Sequence, residues 1–117
     1  MWTASISRSC LPKKSWGSFR VLDVEDASMT IKITLTPGHG MNYHSHENRD
    51  EVWTVISGTG HAILDGVRRD VKAGDILTMP AGCRHTVFAD SELKIIEVQL
   101  GPAISVEDKQ KYPLPQA

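Results

Sequence analysis

Long hydrophobic runs are absent from the sequence, and none approaches the roughly 20 apolar residues that a membrane-spanning helix requires. The first residues, MWTASISRSCLPKK, lack the apolar stretch of a secretory signal, so we expect no leader peptide. Cysteine occurs only at Cys10 and Cys83, which is too few for a disulfide framework. These absences predict a protein of a reducing, cytoplasmic compartment that has no membrane partner.

An excess of charge of one sign is also absent, because 13 Lys and Arg residues balance 14 Asp and Glu residues. The formal net charge of -1 gives no electrostatic reason to expect nucleic acid as a partner. What the chain does have is 117 residues, of which 40% are hydrophobic. This size and composition predict one domain built around one hydrophobic core.

Short strand-like segments separated by turn signals fill the middle of the chain. In MTIKITLTPG, Ile31, Ile33 and Leu35 alternate with polar residues, which is the period of a half-buried strand. Similar segments are EVWTVI, HAILDGVRRDV, DILTMPAG, HTVFAD and ELKIIEVQL. Asp65-Gly66 is a hairpin signal, and turn residues recur about every ten positions. The pattern predicts an all-β sandwich or barrel.

The two ends of the chain differ from this middle. Residues 1–15 and 102–117 have little apolar periodicity, so we expect an N-terminal arm and a C-terminal tail around a barrel at 16–101. Within the tail, SVEDKQK could form one or two helical turns capped by Ser105. One small barrel cannot easily cover both ends, and Val52 and Ile56 face away from Glu51, so we expect a homodimer.

Histidines and acidic residues concentrate before and within the predicted strands. His44 and His46 are two residues apart, so they lie on one face of a strand. Glu51 begins the next strand, and His85 begins a later one. Three imidazoles and one carboxylate suit Zn, Mn, Fe, Ni or Co better than Mg or Cu(I), and they leave positions open for water or substrate. Glu47 is a second choice for the carboxylate because it lies in the loop.

Three other metal-capable residues have simpler interpretations. His39 follows a Pro-Gly turn, and we expect it in solvent. His61 falls on the strand face opposite Ala62, so a surface position is favoured over a ligand role. Cys83 lies two residues before His85, and we expect it to pack against apolar neighbours.

The spacing of these residues resembles the two sequence motifs of the cupin superfamily. The first, G-x5-H-x-H-x4-E-x6-G, is matched by Gly38, His44, His46, Glu51 and Gly58. The second, G-x5-P-x-G-x2-H, is matched by Gly74, Pro80, Gly82 and His85. The second motif usually ends in Asn, where this chain has Ala89. The resemblance implies a jelly-roll antiparallel β-barrel whose mouth holds one divalent metal on His44, His46, Glu51 and His85.

Within the cupins, the chain is most similar to type II mannose-6-phosphate isomerases, which often follow a mannose-1-phosphate guanylyltransferase domain in a longer chain. The similarity runs from Trp16 to Gly101 through SWGSFRVLD, RDEVWTVISGTG, LDG and IIEVQLG. That family's pattern Q-x-H-H-H-R-x-E-H-W is kept only in part. Arg49, Glu51 and Trp53 match it, whereas Glu47, Asn48 and Val52 replace three of its histidines. Its Arg-bearing C-terminal segment is missing from the tail.

The resemblance implies interconversion of an aldose phosphate and a ketose phosphate. Such a reaction needs a metal to polarise a carbonyl, a base to move a proton between carbons, and a cation to hold the phosphate. Glu97 shares a strand face with Gln99, and it is the candidate base, although a structural role is an equal alternative. Arg49 is the candidate phosphate ligand, and Arg84 and Lys94 are weaker ones.

Two other classes of function fit the same predicted site. An Fe(II) cupin dioxygenase would use the open metal positions for oxygen and substrate. A non-enzymatic cupin would bind a sugar or another small ligand without turnover. Oxygen uptake, sugar-phosphate turnover, or binding alone would distinguish the three.

Overall fold

The computed structural model describes residues 13–105 and 107–115, so Cys10 and most of the predicted N-terminal arm lie outside the described residues. Eleven strands make up the regular structure of this part of the chain. They are β1 (Lys13–Lys14), β2 (Gly17–Glu25), β3 (Ser28–Leu35), β4 (Tyr43–Ser45), β5 (Asp50–Ser57), β6 (Thr59–Leu64), β7 (Val67–Lys72), β8 (Ile76–Met79), β9 (His85–Ala89), β10 (Leu93–Leu100) and β11 (Gln110–Tyr112). No helix that could cross a membrane occurs among the described residues.

Two antiparallel sheets pack face to face. The first has six strands in the order β1-β2-β3-β10-β5-β8, and the second has five in the order β11-β4-β9-β6-β7. Hairpins join β2 to β3 and β6 to β7, whereas other neighbours are far apart in the sequence, as when β10 pairs with both β3 and β5. The all-β jelly-roll prediction is therefore confirmed, and the tertiary structure supplies the order of the strands.

The hydrophobic core lies between the inner faces of the two sheets. The alternation predicted for β3 holds, because Ile31, Ile33 and Leu35 are buried whereas the residues between them are not. In β5, Trp53 and Val55 are 1% exposed and point into this core. Burying a large side chain of this kind contributes roughly 1.5–3 kcal/mol. The same inner face carries Glu51, so the period that builds the core also turns a carboxylate inward.

Tight turns connect the strands at the predicted positions. Asp65 and Gly66 both have positive φ, 47° and 83°, which is the backbone of the type I′ hairpin that their sequence predicts. Gly58 has φ of 91° between β5 and β6. A Cβ at Gly58 would collide with the backbone carbonyl of Glu92, so only glycine fits where the two segments cross.

The segment after β10 folds back onto the second sheet. The helical turns expected in SVEDKQK are wrong for its described residues, because a turn at Ser105 leads directly into β11. Strand β11 pairs with β4, so that Lys111 lies opposite His44. The edge of β4 thereby gains backbone hydrogen bonds that a helix in the tail could not supply. The boundary at Gly101 between barrel and tail stays a prediction.

Candidate metal centre

The four residues predicted to bind metal converge between the two sheets. His44 in β4 is the direct cross-strand partner of His85 in β9, and His46 follows β4 immediately. Glu51 reaches the same place from β5 in the opposite sheet. All four side chains are buried, with exposures of 6%, 5%, 1% and 1% for His44, His46, Glu51 and His85. The pleat of strands from two different sheets therefore brings them together.

Each imidazole is oriented by a backbone carbonyl that accepts from its Nδ1. The pairs are His44 with Asn42 at 2.6 Å, His46 with Asp108 at 2.6 Å, and His85 with Cys83 at 2.9 Å. A carbonyl oxygen can only accept, so the proton of each neutral ring is on Nδ1. The Nε2 atom then carries the lone pair, which is the form that ligates a metal. At His46 this lone pair accepts from Arg49 Nη2 at 3.1 Å, a contact that a bound ion would replace.

The free ligand atoms lie close together. One nitrogen from each of His44, His46 and His85 lies within 4.8 Å of the others. Glu51 Oε2 is 3.2 Å from His46 Nε2, and Glu51 Oε1 is 3.3 Å from His85 Nε2. Glu51 Oε1 and His85 Nε2 are buried and have no hydrogen-bond partner among the described residues. Burying a polar atom that has no partner costs free energy of folding. A divalent cation bound between these two atoms would give both of them a partner.

The pKa values of these residues suit cation binding. Burial lowers the pKa of His44 to about 3, and the neighbouring His85 acts in the same direction. Burial also lowers the pKa of His46. Burial alone would raise the pKa of Glu51, but His85, His46 and Arg49 outweigh it and bring the pKa to about 2. At neutral pH His44 and His46 are therefore unprotonated and Glu51 is a carboxylate, which are the forms that bind a metal ion.

Arg49 lies against the same cluster. Its Nε donates to Glu51 Oε2 at 2.8 Å, its Nη1 donates to Ser105 O at 3.3 Å, and its Nη2 is 3.1 Å from His46 Nε2. The guanidinium therefore balances the buried charge of Glu51. Arg49 also lines the adjoining cavity, and its role as a phosphate ligand stays a prediction.

The C-terminal tail holds the loop between β4 and β5 in place. The carboxylate of Asp108 accepts hydrogen bonds from the backbone N–H groups of Glu47 and Asn48, both at 2.8 Å. The hydroxyl of Tyr112 is 2.9 Å from that of Ser45. Nothing in the sequence predicts these contacts, because no local pattern links residues about 60 positions apart. The tail thus orients His46 as well as the loop that leads to Glu51.

A cavity of about 240 Å³ opens beside the histidine cluster. His44, His46, Arg49 and Glu51 lie on one side of it. Most of the remaining wall is apolar and consists of Trp16, Phe19, Val21, Met29, Ile31, Ile33 and Met41. Its volume is somewhat below the roughly 300–1,000 Å³ of pockets for drug-sized ligands. The cavity therefore fits a small molecule that can reach the metal-binding atoms.

Glu97 is a buried carboxyl group in the wall of this cavity. Its Oε1 accepts from Trp53 Nε1 at 2.6 Å, and its Oε2 accepts from Gln99 Nε2 at 2.7 Å. Burial raises the pKa of Glu97 to about 8, with a further contribution from the charge of Glu51. The Gln99 Oε1 atom has no partner among the described residues, so a turned amide would accept a hydrogen bond from protonated Glu97. Both carboxyl oxygens of Glu97 can thus keep a hydrogen-bond partner whether Glu97 is protonated or ionised.

The other residues considered from the sequence lie away from the cluster. Glu47 and His39 are exposed, and His61 stacks on Phe88 with a centroid distance of 5.0 Å. Cys83 packs against the hydrophobic core as expected, and burial raises the pKa of its thiol to about 11. Arg84 covers the Tyr112 ring at 3.8 Å, and Lys94 is 3.7 Å from Glu92. The structure therefore leaves these side chains outside the set of candidate metal ligands.

The chain matches the family of cupin domains over residues 31–99. It therefore belongs to the cupin family, as its motifs, its two facing sheets and its histidine cluster indicate. Over 97 residues it is 24% identical to mannose-1-phosphate guanylyltransferase of Klebsiella pneumoniae, covering 81% of this chain and 21% of that relative. The chain thus spans about a fifth of the length of this curated relative.

Solved structures show the same fold. One is an uncharacterised conserved protein with a double-stranded β-helix domain from Klebsiella pneumoniae, with TM-score 0.75, 21% identity and coverage of 87% of this chain and 89% of that one. Another is salicylate 1,2-dioxygenase from Pseudoaminobacter salicylatoxidans, with TM-score 0.72, 15% identity and coverage of 78% and 27%. At these identities the likeness concerns the fold alone.

Proposed function

We propose that this cupin is a metal-dependent sugar-phosphate isomerase that interconverts an aldose phosphate and a ketose phosphate, as a mannose-6-phosphate isomerase does. The observation that supports this most is the position of Glu97, whose pKa lies near neutrality, in the cavity that Glu51 and His44 also line. The resemblance to type II mannose-6-phosphate isomerases suggests the substrate, and a cytoplasmic location is part of the same proposal.

His44, His46, Glu51 and His85 would hold one divalent ion, with Zn, Mn, Fe, Ni and Co all compatible with the donor set. The chemistry that such an ion supplies is Lewis-acid polarisation of a substrate carbonyl. The Nδ1 hydrogen bonds keep the three imidazoles in the orientation that this binding needs. The protein thereby fixes the ligand atoms before the ion arrives.

Glu97 is the residue that would move the proton between the two neighbouring carbons. An effective catalytic base has a pKa near the working pH, because it must both take up and return the proton. Burial gives Glu97 a pKa of about 8 instead of the ordinary 4.5. Trp53 holds one carboxyl oxygen, and Gln99 can donate to or accept from the other. These neighbours would keep Glu97 in one position throughout the transfer.

Arg49 would supply positive charge toward the substrate phosphate from the wall of the cavity. Its guanidinium can form paired, charge-assisted hydrogen bonds with phosphate oxygens. When Arg49 binds the phosphate, its Nη1 would give up the hydrogen bond to Ser105 O, which at 3.3 Å is the longest of the three contacts of Arg49. The contact with Glu51 at 2.8 Å would keep it beside the metal ligands.

The proposal is tested by metal analysis of the purified protein, followed by isomerase assays on several aldose phosphates with the metal found. Turnover that a chelator abolishes is expected. Glu97→Gln, which keeps the shape of the side chain but cannot act as a base, should lower kcat by roughly a hundredfold or more while metal content stays constant. A fully loaded protein that turns over none of the sugar phosphates would contradict the proposal.

The apolar wall of the cavity favours a second candidate, a cupin dioxygenase acting on a less polar substrate. Phe19, Val21, Met29 and Met41 offer no hydrogen bonds to sugar hydroxyls. Oxygen consumption that depends on Fe(II) would support this candidate in place of the isomerase. Saturable ligand binding with neither activity would instead indicate a binding module.

A further inference from the structure

We propose that Lys14 and Lys109, with Arg49 beside them, form an anion-binding subsite in the wall of the cavity, which takes the phosphate or carboxylate group of the substrate. This inference deepens the proposed function and rests on it, because it names the part of the protein that recognises the charged end of the ligand. The two lysines come from the segments before β2 and after β10.

All three cations line the same cavity as three of the candidate metal ligands, His44, His46 and Glu51. Lys14 ends β1 and lies 5.9 Å from the centroid of the Phe19 ring, which also lines the cavity. Lys109 precedes β11 and follows Asp108, whose carbonyl orients His46. A ligand in the cavity can therefore meet the lysines and the metal-binding atoms at once.

Among the described residues, neither Lys14 nor Lys109 forms an ion pair with a carboxylate. In the described part of the chain the carboxylates pair with His46, Arg49, His61, Arg68, Lys72, His85 and Lys94. Residues 1–12, 106, 116 and 117 contain no Asp or Glu, so they add no side-chain carboxylate that could serve as a partner. Of the three cations that line the cavity, Arg49 shares its charge with Glu51, whereas Lys14 and Lys109 have no carboxylate partner among the described residues.

Lys109 is held in an environment that disfavours its charge. Partial burial lowers its pKa, and the nearby charges of Lys111, Lys14 and Arg49 act in the same direction, while Glu51 opposes them. Like charges that gather around a cavity repel one another, and a bound anion relieves that repulsion. An anion bound near Lys109, Lys14 and Arg49 would be attracted by the same charges that repel one another.

Binding of simple anions to the metal-free protein tests the subsite separately from catalysis. Inorganic phosphate and acetate are titrated in the presence of a chelator, and the Kd is measured by calorimetry or by NMR shifts. The variants are Lys14→Gln and Lys109→Gln, and the control is Lys72→Gln, which removes the same charge from exposed β7. The tighter of the two anions identifies the charged group of the substrate.

Saturable binding is expected in the wild type and the control, weakening as ionic strength rises. Lys109→Gln should weaken anion binding about tenfold, and Lys14→Gln should weaken it severalfold. The larger effect is expected for Lys109 because it lies close enough to Arg49 and Glu51 to be affected by their charges. Lys109→Gln should also leave the Tm unchanged or higher without anion. Binding that is equal in all four proteins, or that appears only when metal is present, would overturn the subsite. Isomerase activity could still exist in either case.

Discussion

Replacing Glu97 by Gln should change how the stability of the metal-free protein depends on pH. In the folded protein the pKa of Glu97 is raised to about 8, whereas its ordinary value is 4.5. Between these values the folded state holds a proton that the unfolded state has lost. The contribution of Glu97 to stability is therefore complete at low pH and is lost as pH rises through this window.

The size of the effect is worked out for the upper part of this window, which lies above the ordinary pKa values of His44, His46 and Glu51. His44 and His46, whose pKa values are lowered, make stability rise with pH, and this rise fades above their ordinary value of 6.5. The rise is the same in the wild type and in Glu97→Gln, so it cancels when the two proteins are compared. Glu51, whose pKa is lowered to about 2, contributes stability that is lost only below its ordinary value. Between pH 6.5 and 8, Glu97 should cost the wild type about 1–2 kcal/mol of unfolding free energy.

Urea unfolding with a chelator present, at half-unit steps of pH across this range, measures the effect. The amide introduced by Glu97→Gln cannot ionise, but it can accept from Trp53 Nε1 and donate to Gln99 Oε1, so it imitates the protonated acid. We expect the variant to lose the pH dependence and to be more stable than the wild type at pH 8. Parallel profiles for the two proteins would refute the buried, protonated state of Glu97.

Three further predictions concern metal, substrate and assembly. His46→Ala or His85→Ala should remove most of the bound metal, as measured by elemental analysis, while circular dichroism shows an intact barrel. Full metal occupancy in the double variant would refute the ligand set. Arg49→Ala should lower kcat/KM for a sugar phosphate roughly a hundredfold, with little recovery in Arg49→Lys; unchanged kinetics would leave Arg49 as the partner of Glu51 alone. Light scattering should give the mass of a homodimer, twice that of the 12.9 kDa chain. The physical reason is that Ile56 is 47% exposed on the outer sheet face, and the mass of a monomer would exclude the homodimer.

The spacing of His44, His46, Glu51 and His85 was enough to predict the candidate metal site. A strand turns alternate side chains to one face, so His44 and His46 had to lie on the same side, and Glu51 had to share the side of Trp53. The strands and hairpins were predictable for the same reason, because alternation and turn residues are properties of neighbouring positions. Such local rules predicted an all-β fold, and the resemblance to the two cupin motifs added the jelly roll and brought His85 into the candidate ligand set.

The surroundings of the site depend on contacts between distant parts of the chain. Asp108 orients His46 across 62 positions, and nothing in the sequence near either residue indicates this pairing. The raised pKa of Glu97 requires the second sheet to cover it, and the same sequence in an exposed strand would titrate normally. Lys14 and Lys109 meet at one cavity only because both terminal segments return to it. The spacing of the two motifs thus predicted the candidate ligands, whereas the packing of the sheets and the tail determined their orientation and their charged neighbours.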